Sequence, residues 1–287
     1  MNKRLIFFAC TGLGRINRGY ETFTHECFQA LQSEPGLDLY LFKGAGESSS
    51  REKALFNFHR GAPPANLLAK MFKKDAYFFE QFTFFLSFLP HVLSRKPEVI
   101  FYSDFIFGCF LWNIRKKLGL KFKLIFSNGA PNGPPFTRCD LVQQLLPCFL
   151  RRALEAGEPP EKHVLLPYGL KIESEVGYSQ EEKQALRKKF GVPLDKKIII
   201  SVGGVQASHK RMDYLVREVS TLPPGEYFLL ILGQFGPETK QIQDLAKSLL
   251  PDNHIITSVN FDQINAYYAV ADLFVLCSLW EGFGRVY

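Results

Sequence analysis

Short apolar runs alternate with longer stretches of mixed polarity along the 287 residues, and the alternation repeats in two series. In the first series, residues 4–10 and 37–42 are apolar runs of strand length, and residues 20–32 between them carry helical spacing. Residues 67–93 read as helical, 99–102 as a strand, 110–118 as a helix and 122–126 as another strand. A Pro/Gly turn, Leu166-Pro167-Tyr168-Gly169, then follows the run 163–166 and opens the second series. There Ser179 stands where it can cap a helix over 180–190, with Glu182 three residues on as its capping-box partner. Strands are predicted over 197–202, 227–232, 254–257 and 273–277, and helices over 212–220, 238–249 and 262–269.

Alternation of strands and helices is the sequence form of a doubly wound α/β sheet. At roughly 100–200 residues per domain, a chain of this length predicts two. The expected class is therefore α/β, with two Rossmann-like domains, 1–168 and 169–287, facing each other across a cleft. Tyr287 falls a few residues into what reads as a further loop and helix, with no cap and no polar tail. A second domain lacking its last strand and helices is the expectation, and with it a 287-residue chain with little or no activity of its own.

Composition narrows the function. Hydrophobic residues make up 46% of the chain and charged residues 22%, which excludes global disorder. The net charge of +7 favours anionic partners such as nucleotide phosphates or acidic lipid headgroups. Its basic residues are dispersed and no RNA- or DNA-binding fingerprint accompanies them, so no nucleic-acid partner is expected. The six cysteines form no C-x-x-C pair and no histidine stands at metal-ligand spacing. Reduced thiols, a cytoplasmic setting and no metal requirement follow as expectations.

The N-terminal apolar run is too short for a signal peptide and leads into Thr11-Gly12-Leu13-Gly14, so it reads as a first strand. Residues 76–89 are interrupted by Glu80, Gln81, Thr83 and Ser87 and do not make a membrane span. The 28 phenylalanines leave two readings for 71–89. One is a core helix of the first domain, which is favoured. The other is a dock on an anionic membrane, helped by Lys70, Lys73 and Lys74.

Three loops carry candidate chemistry. Thr11-Gly12-Leu13-Gly14-Arg15 follows the first strand and precedes a helix, where an open α/β sheet binds phosphates; a plain tight turn explains it equally well. Asn17 replaces the third glycine of a dinucleotide fingerprint, and Tyr20 replaces the lysine of a P-loop. Glu21, in the first turn of that helix, reads as a charge favourable to the helix dipole. Gly203-Gly204 follows an apolar strand, and Lys210 lies six residues on, at a helix start, where positive charge suits a departing diphosphate. The plainer reading of Lys210 is an exposed loop lysine. Ser278-Leu279-Trp280-Glu281-Gly282-Phe283-Gly284 places a carboxylate after a strand, beside small residues that permit close backbone approach, and carboxylates pair well with sugar hydroxyls. An acidic turn is its plainer reading.

Taken in order and spacing, Gly203-Gly204…Lys210, Gly233-Gln234-Phe235-Gly236-Pro237-Glu238, Ala271-Asp272-Leu273-Phe274-Val275 and Ser278…Glu281-Gly282-Phe283-Gly284 resemble the family 4 retaining glycosyltransferases. Gly12 and Gly14 with Gly19 and Glu21 are similar to that family's N-terminal glycine loop, and Leu166-Pro167-Tyr168-Gly169 to its interdomain turn. The resemblance implies the two-Rossmann GT-B fold. It also implies retaining transfer of a hexosyl group from a nucleotide diphosphate sugar, without a metal, to a sugar or lipid-linked sugar acceptor, as in polysaccharide biosynthesis. A lipid-linked acceptor would place such a protein at the inner face of the membrane.

Carried over by position, Glu281 is the catalytic candidate, the first Glu of the E-x7-E motif. Lys210 would neutralise the diphosphate. Gly203, Gly204, Ser278, Gly282, Phe283 and Gly284 would shape the donor pocket, and Gly12 and Gly14 would close over the phosphates. Gly204 stands where the family usually has an arginine, so Arg211 or Arg15 is expected to supply the charge. Asn128, in Ser127-Asn128-Gly129, stands where many members have a histidine; it is the candidate for a hydrogen bond to acceptor or sugar. The second Glu would fall at position 289. Competing readings are a non-catalytic nucleotide-sugar-binding protein and a dinucleotide-dependent oxidoreductase acting through Gly12 and Gly14.

Overall fold

The computed structural model describes residues 3–16, 19–130, 132–169, 177–259 and 263–286. It divides into two compact units, Met1–Leu170 and Lys171–Tyr287.

The first unit runs β1 (Arg4–Cys10), α1 (Gly19–Leu31), β2 (Leu37–Lys43), β3 (Glu52–Ala54), α2 (Pro63–Phe72), α3 (Ala76–Arg95), β4 (Val99–Tyr102), α4 (Phe105–Leu118), β5 (Lys123–Ser127), β6 (Leu141–Gln144), α5 (Pro147–Glu155) and β7 (His163–Leu165). The strands form one parallel sheet in the order β3-β2-β1-β4-β5-β6-β7. Helices cover both faces of β1, so its inner residues are apolar without alternation. Phe7 points to one side, onto Phe42 and Phe88. Phe8 points to the other, onto Phe28 and Phe101.

The helical stretch expected over 67–93 is two helices. Lys73 ends α2 in the left-handed region at φ 52°, and Asp75 restarts the chain as α3 by accepting a hydrogen bond from the Phe78 N–H at 2.7 Å. α3 is a core helix that buries Phe79, Phe84, Phe85, Phe88 and Val92. Two other boundaries move: α4 begins at Phe105, five residues before its expected start, and β5 extends to Ser127.

The second unit runs α6 (Gln180–Phe190), β8 (Lys197–Val202), α7 (Met212–Ser220), β9 (Tyr227–Leu232), α8 (Thr239–Leu249), β10 (His254–Thr257), α9 (Ile264–Val270) and β11 (Leu273–Phe274). Its parallel sheet has the order β10-β9-β8-β11. Residues of β8 and β9 point alternately to two cores. Ile199, Leu229 and Ile231 meet Leu215 and Val216 of α7 and Ile242 of α8. Ile198, Ile200, Phe228 and Leu230 form the other core with Val270. The capping box of α6 is present in both directions, Glu182 N–H to Ser179 Oγ at 3.2 Å and Ser179 N–H to Glu182 at 2.7 Å.

The helix expected from 262 is α9; its first expected residue lies outside the described residues. The strand expected over 273–277 is shorter. After Phe274 one more ladder bond forms, Val275 N–H to Ile200 O at 2.9 Å, and the chain then leaves the sheet. Among the described residues no helix is long and apolar enough to cross a membrane.

Candidate functional site

In both sheets the chain steps from β1 or β8 outward to one side and later returns to pair on the other. This places a switch point between β1 and β4, and another between β8 and β11. Ligand crevices of open α/β sheets lie at the carboxyl ends of such strands, where successive loops diverge.

In the second unit the two diverging loops hold the residues singled out from the sequence. Beyond β8 the chain crosses Gly203, Gly204 and Lys210 before α7; beyond β11 it reaches Ser278 to Gly284. They meet in space. Lys210 Nζ donates a short, charge-assisted hydrogen bond to Glu281 Oε1, with both side chains largely buried. Alongside, His209 stacks on Trp280 with ring centroids 4.0 Å apart, and the Leu279 N–H bonds the His209 carbonyl at 3.0 Å.

The lysine stem runs across Gly203, where an added Cβ would stand 3.4 Å from Lys210 Cδ and Cε. Gly233, at the end of β9, fits against the same loop so closely that a Cβ there would stand 1.6 Å from the Gly203 carbonyl oxygen. Glycine at 233 is therefore a steric requirement for bringing the β8 and β9 loops together.

The loop bearing Lys210 is clamped from α8. Glu238 accepts hydrogen bonds from the Ala207 N–H (2.7 Å), the Ser208 N–H (2.9 Å) and the Ser208 hydroxyl (2.7 Å). Buried Thr239 donates to the Val205 carbonyl. The Ser208 hydroxyl and the two amides hold the Glu238 carboxyl below its ordinary pKa. Asp272 of the Ala271 to Val275 string fastens the sheet by accepting from the Ile198 N–H at 2.7 Å and from Arg187 at 2.9 Å.

The remaining expected residues take varied positions. Arg211 occupies the left-handed region at φ 52°, and its guanidinium bonds Asp213 at 3.2 Å, turned along α7. The Ser278 hydroxyl oxygen is buried with no hydrogen-bond partner among the described residues. Gly282 and Phe283 are half-buried, and Gly284 adopts φ +76°, which favours glycine.

In the first unit, Gly12, Gly14 and Arg15 form the turn at the β1/β4 switch point. Gly14 has φ +89°, and a Cβ there would stand 2.2 Å from the Ala45 carbonyl oxygen. Arg15 is exposed, with its guanidinium bonded to Asn57. Glu21 lies in the first turn of α1, as expected, and is fully buried; its Oε1 lies 2.5 Å from where a Cβ on Gly12 would be.

Asp104, just beyond β4, was not singled out from the sequence. Its buried carboxylate accepts from the Thr11 N–H (3.0 Å), the Thr11 hydroxyl (2.6 Å), and the Tyr20 and Tyr77 hydroxyls. It ties the glycine turn to α1 and α3. Asn128, just beyond β5, is also buried. Its amide nitrogen donates to Gln144 Oε1 (3.0 Å) and the Asn132 carbonyl (3.1 Å), and its oxygen accepts from the Asn132 N–H (2.8 Å). Tyr168 of the interdomain turn stacks on Phe23 and lies over Gly129, so this turn packs into the first unit. Among the described residues no three His, Cys, Asp or Glu side chains converge as metal ligands.

Residues 182–287 match the family model for glycosyl transferases group 1. A putative teichuronic acid biosynthesis glycosyltransferase of Bacillus subtilis is 34% identical over 125 residues, 42% of this chain and 29% of that protein. The chain spans between 29% and 35% of the length of the curated relatives it matches. Sucrose-phosphate synthase from Thermosynechococcus elongatus superimposes with a TM-score of 0.75 at 17% identity, covering 99% of this chain and 78% of the other. Anabaena HepE in complex with UDP-glucose gives 0.73 at 14% identity, covering 98% and 76%. Its two Rossmann-like units give this chain the GT-B fold, and its second unit is related to the glycosyl transferases group 1.

Proposed function

We propose that the second unit binds a nucleotide diphosphate sugar and that the protein transfers the hexosyl group to an acceptor with retained configuration. The observation that carries this reading is the Lys210–Glu281 contact at the β8/β11 switch point. A donor diphosphate competes with Glu281 for the Lys210 ammonium. The freed Glu281 carboxylate then accepts from sugar hydroxyls beside the anomeric carbon. As the bond from that carbon to the β-phosphate oxygen breaks, Lys210 and the amides of Gly203 and Gly204 receive the charge that develops on the diphosphate. The acceptor oxygen bonds to the anomeric carbon and its proton leaves with the diphosphate. Ser278, Gly282, Phe283 and Gly284 line the donor. The first unit takes the acceptor, with Asn128 as the contact to acceptor or sugar, at the cytoplasmic face where such acceptors are built; Gly12, Gly14 and Arg15 serve the donor phosphates.

Calorimetric titration with UDP and GDP sugars tests this reading. One nucleotide class is expected to bind, and Lys210→Ala to weaken it about tenfold or more, as losing a charge-assisted hydrogen bond does. Glu281→Ala is expected to weaken the sugar nucleotide while sparing the bare nucleotide diphosphate. No binding by either class, or wild-type affinity in Lys210→Ala, would overturn the donor site. Sugar transferred or hydrolysed by this chain on product analysis would overturn the expectation that the 287 residues alone are inactive, and binding alone is what a nucleotide-sugar-binding protein also shows.

A further inference from the structure

We propose that a cavity at the β3 edge of the first sheet holds the phosphoryl group of a small phosphate ligand, at a site separate from the donor loops. The cavity has a volume of about 210 Å³ and lies between β2, the loop and strand that follow it, and the last turns of α3. Pockets for drug-sized molecules run to roughly 300–1,000 Å³, so the ligand is small. β3 is the edge strand in the order β3-β2-β1-β4, which sets the cavity apart from the β1/β4 switch point, and no residue of the glycine turn lines it.

Four basic groups converge there from two elements. Arg51 and Lys53 stand either side of Glu52, and strand alternation turns both toward α3. From α3, one helical turn apart, Arg95 lies over the Tyr40 ring at 4.2 Å and His91 over the Phe42 ring at 5.1 Å. Acids do not balance this charge. Glu52 borders the cavity, but its carboxylate faces the other way, onto Lys43 at 2.5 Å and His25 at 3.6 Å. Arg51 meets Asp38 at 3.3 Å, whereas among the described residues neither Lys53 nor Arg95 meets a carboxylate. Burial, and after it the charges of Lys53 and Arg95, hold the His91 imidazole below its ordinary pKa, the mark of a positive field left without a counter-charge.

The nearby hydroxyls are placed to donate. Ser49 Oγ accepts from the Arg51 N–H (3.4 Å) and the Glu52 N–H (3.1 Å), and Ser48 Oγ from the Ala54 N–H (3.0 Å), which leaves both hydroxyl protons for a ligand. Ammonium, guanidinium and hydroxyl donors around one small space suit a phosphoryl group, whose double charge and three oxygens use more of them than a carboxylate does.

Titration of the whole chain with inorganic phosphate, and separately with a hexose phosphate, tests the proposal through the His91 ring signals in NMR. A saturable shift is expected, with Kd about 1 mM or tighter. The His91 pKa is expected to rise on binding, because a bound dianion reverses the field that lowers it. Lys53→Met and Arg95→Met are each expected to weaken phosphate about tenfold, as losing a charge-assisted hydrogen bond does, and Lys210→Ala to leave it unchanged. Lys53 is exposed on an edge strand, so its variant serves where Arg95→Met, which also loses the Tyr40 contact, fails to fold. A hexose phosphate bound more tightly than inorganic phosphate identifies the ligand as a phosphomonoester; equal or weaker binding identifies free phosphate. No saturable shift at His91, unchanged affinity in Lys53→Met, or a response lost in Lys210→Ala overturns the proposal. The donor reading stands or falls separately, because Lys53→Met leaves the donor loops intact for titration with sugar nucleotides.

Discussion

Asp104 and Glu281 occupy equivalent places, one beyond β4 and one beyond β11, each at a switch point, yet they are used differently. Asp104 is buried and takes hydrogen bonds from four groups of its own unit. Removing it as Asp104→Ala takes the acceptor from the buried Thr11 N–H and Thr11 hydroxyl and one acceptor from each of two tyrosine hydroxyls, and urea unfolding is expected to show a loss of about 3 kcal/mol. Unfolding midpoints that coincide with the unsubstituted protein would show that water replaces it at no cost. Glu281 pairs with Lys210 among the described residues, a contact that the proposed donor would take over. The residues at 203, 204, 210 and 281 stand out in the sequence because the proposed diphosphate and sugar would need that chemistry at strand ends, and the structure brings Lys210 and Glu281 together. Asp104 obeys the same strand-end rule but sits in no glycine-rich string, so nothing local marked it. The engagement of Asn128 with Gln144 and Asn132 had no local signal either.

At the scale of elements, boundaries were clearest where the chain carries its own signals. Ser179, Glu182 and Gly191 delimit α6, and the apolar runs of β8 and β9 end where their sequences change. Short strands such as β3, β6 and β7 have too few residues to show a period; they are strands because a neighbour supplies the ladder. The division into α2 and α3 rests on the left-handed Lys73 and the Asp75 cap, a short polar break between apolar residues on either side.

The clamp between α8 and the loop after β8 belongs to this scale and has a pH signature. Glu238 is held below its ordinary pKa by the Ser208 hydroxyl and the Ser208 and Ala207 amides. A depressed carboxyl contributes its stability above the unfolded-state pKa and loses it as pH falls through the folded-state value. The thermal midpoint of Glu238→Gln is therefore expected below that of the unsubstituted protein at neutral pH, with the gap closing on acidification beneath the carboxylate range. A gap that is constant with pH would show that the clamp does not depend on charge.

For the whole molecule, a ligand bound only by the folded state stabilises it by mass action, about 2.7 kcal/mol at a hundredfold excess over Kd. Scanning calorimetry with the better-binding nucleotide diphosphate is expected to raise the transition of the second unit, and Lys210→Ala to abolish the shift. A rise of the same size in Lys210→Ala would place the nucleotide elsewhere. Trp280 and Trp112 are the two tryptophans. The His209–Trp280 stack therefore makes fluorescence a second readout of the same event.

By itself the amino-acid sequence determined the α/β class, the division into two series, most element boundaries of the second unit and the residue types of the loops proposed to hold the donor. These follow from apolar period, caps and glycines, all of which act within a few residues. Tertiary structure alone decided that Lys210 reaches Glu281 across 71 positions, that Glu238 holds the loop that bears Lys210, that Asp104 fastens the glycine turn, and that Leu67 and Met71 of α2 stand exposed while the α3 phenylalanines fill the core. The reason is physical: a hydrogen bond or an exposed face depends on which loops the sheet order brings side by side, and neighbours along the chain do not specify that order.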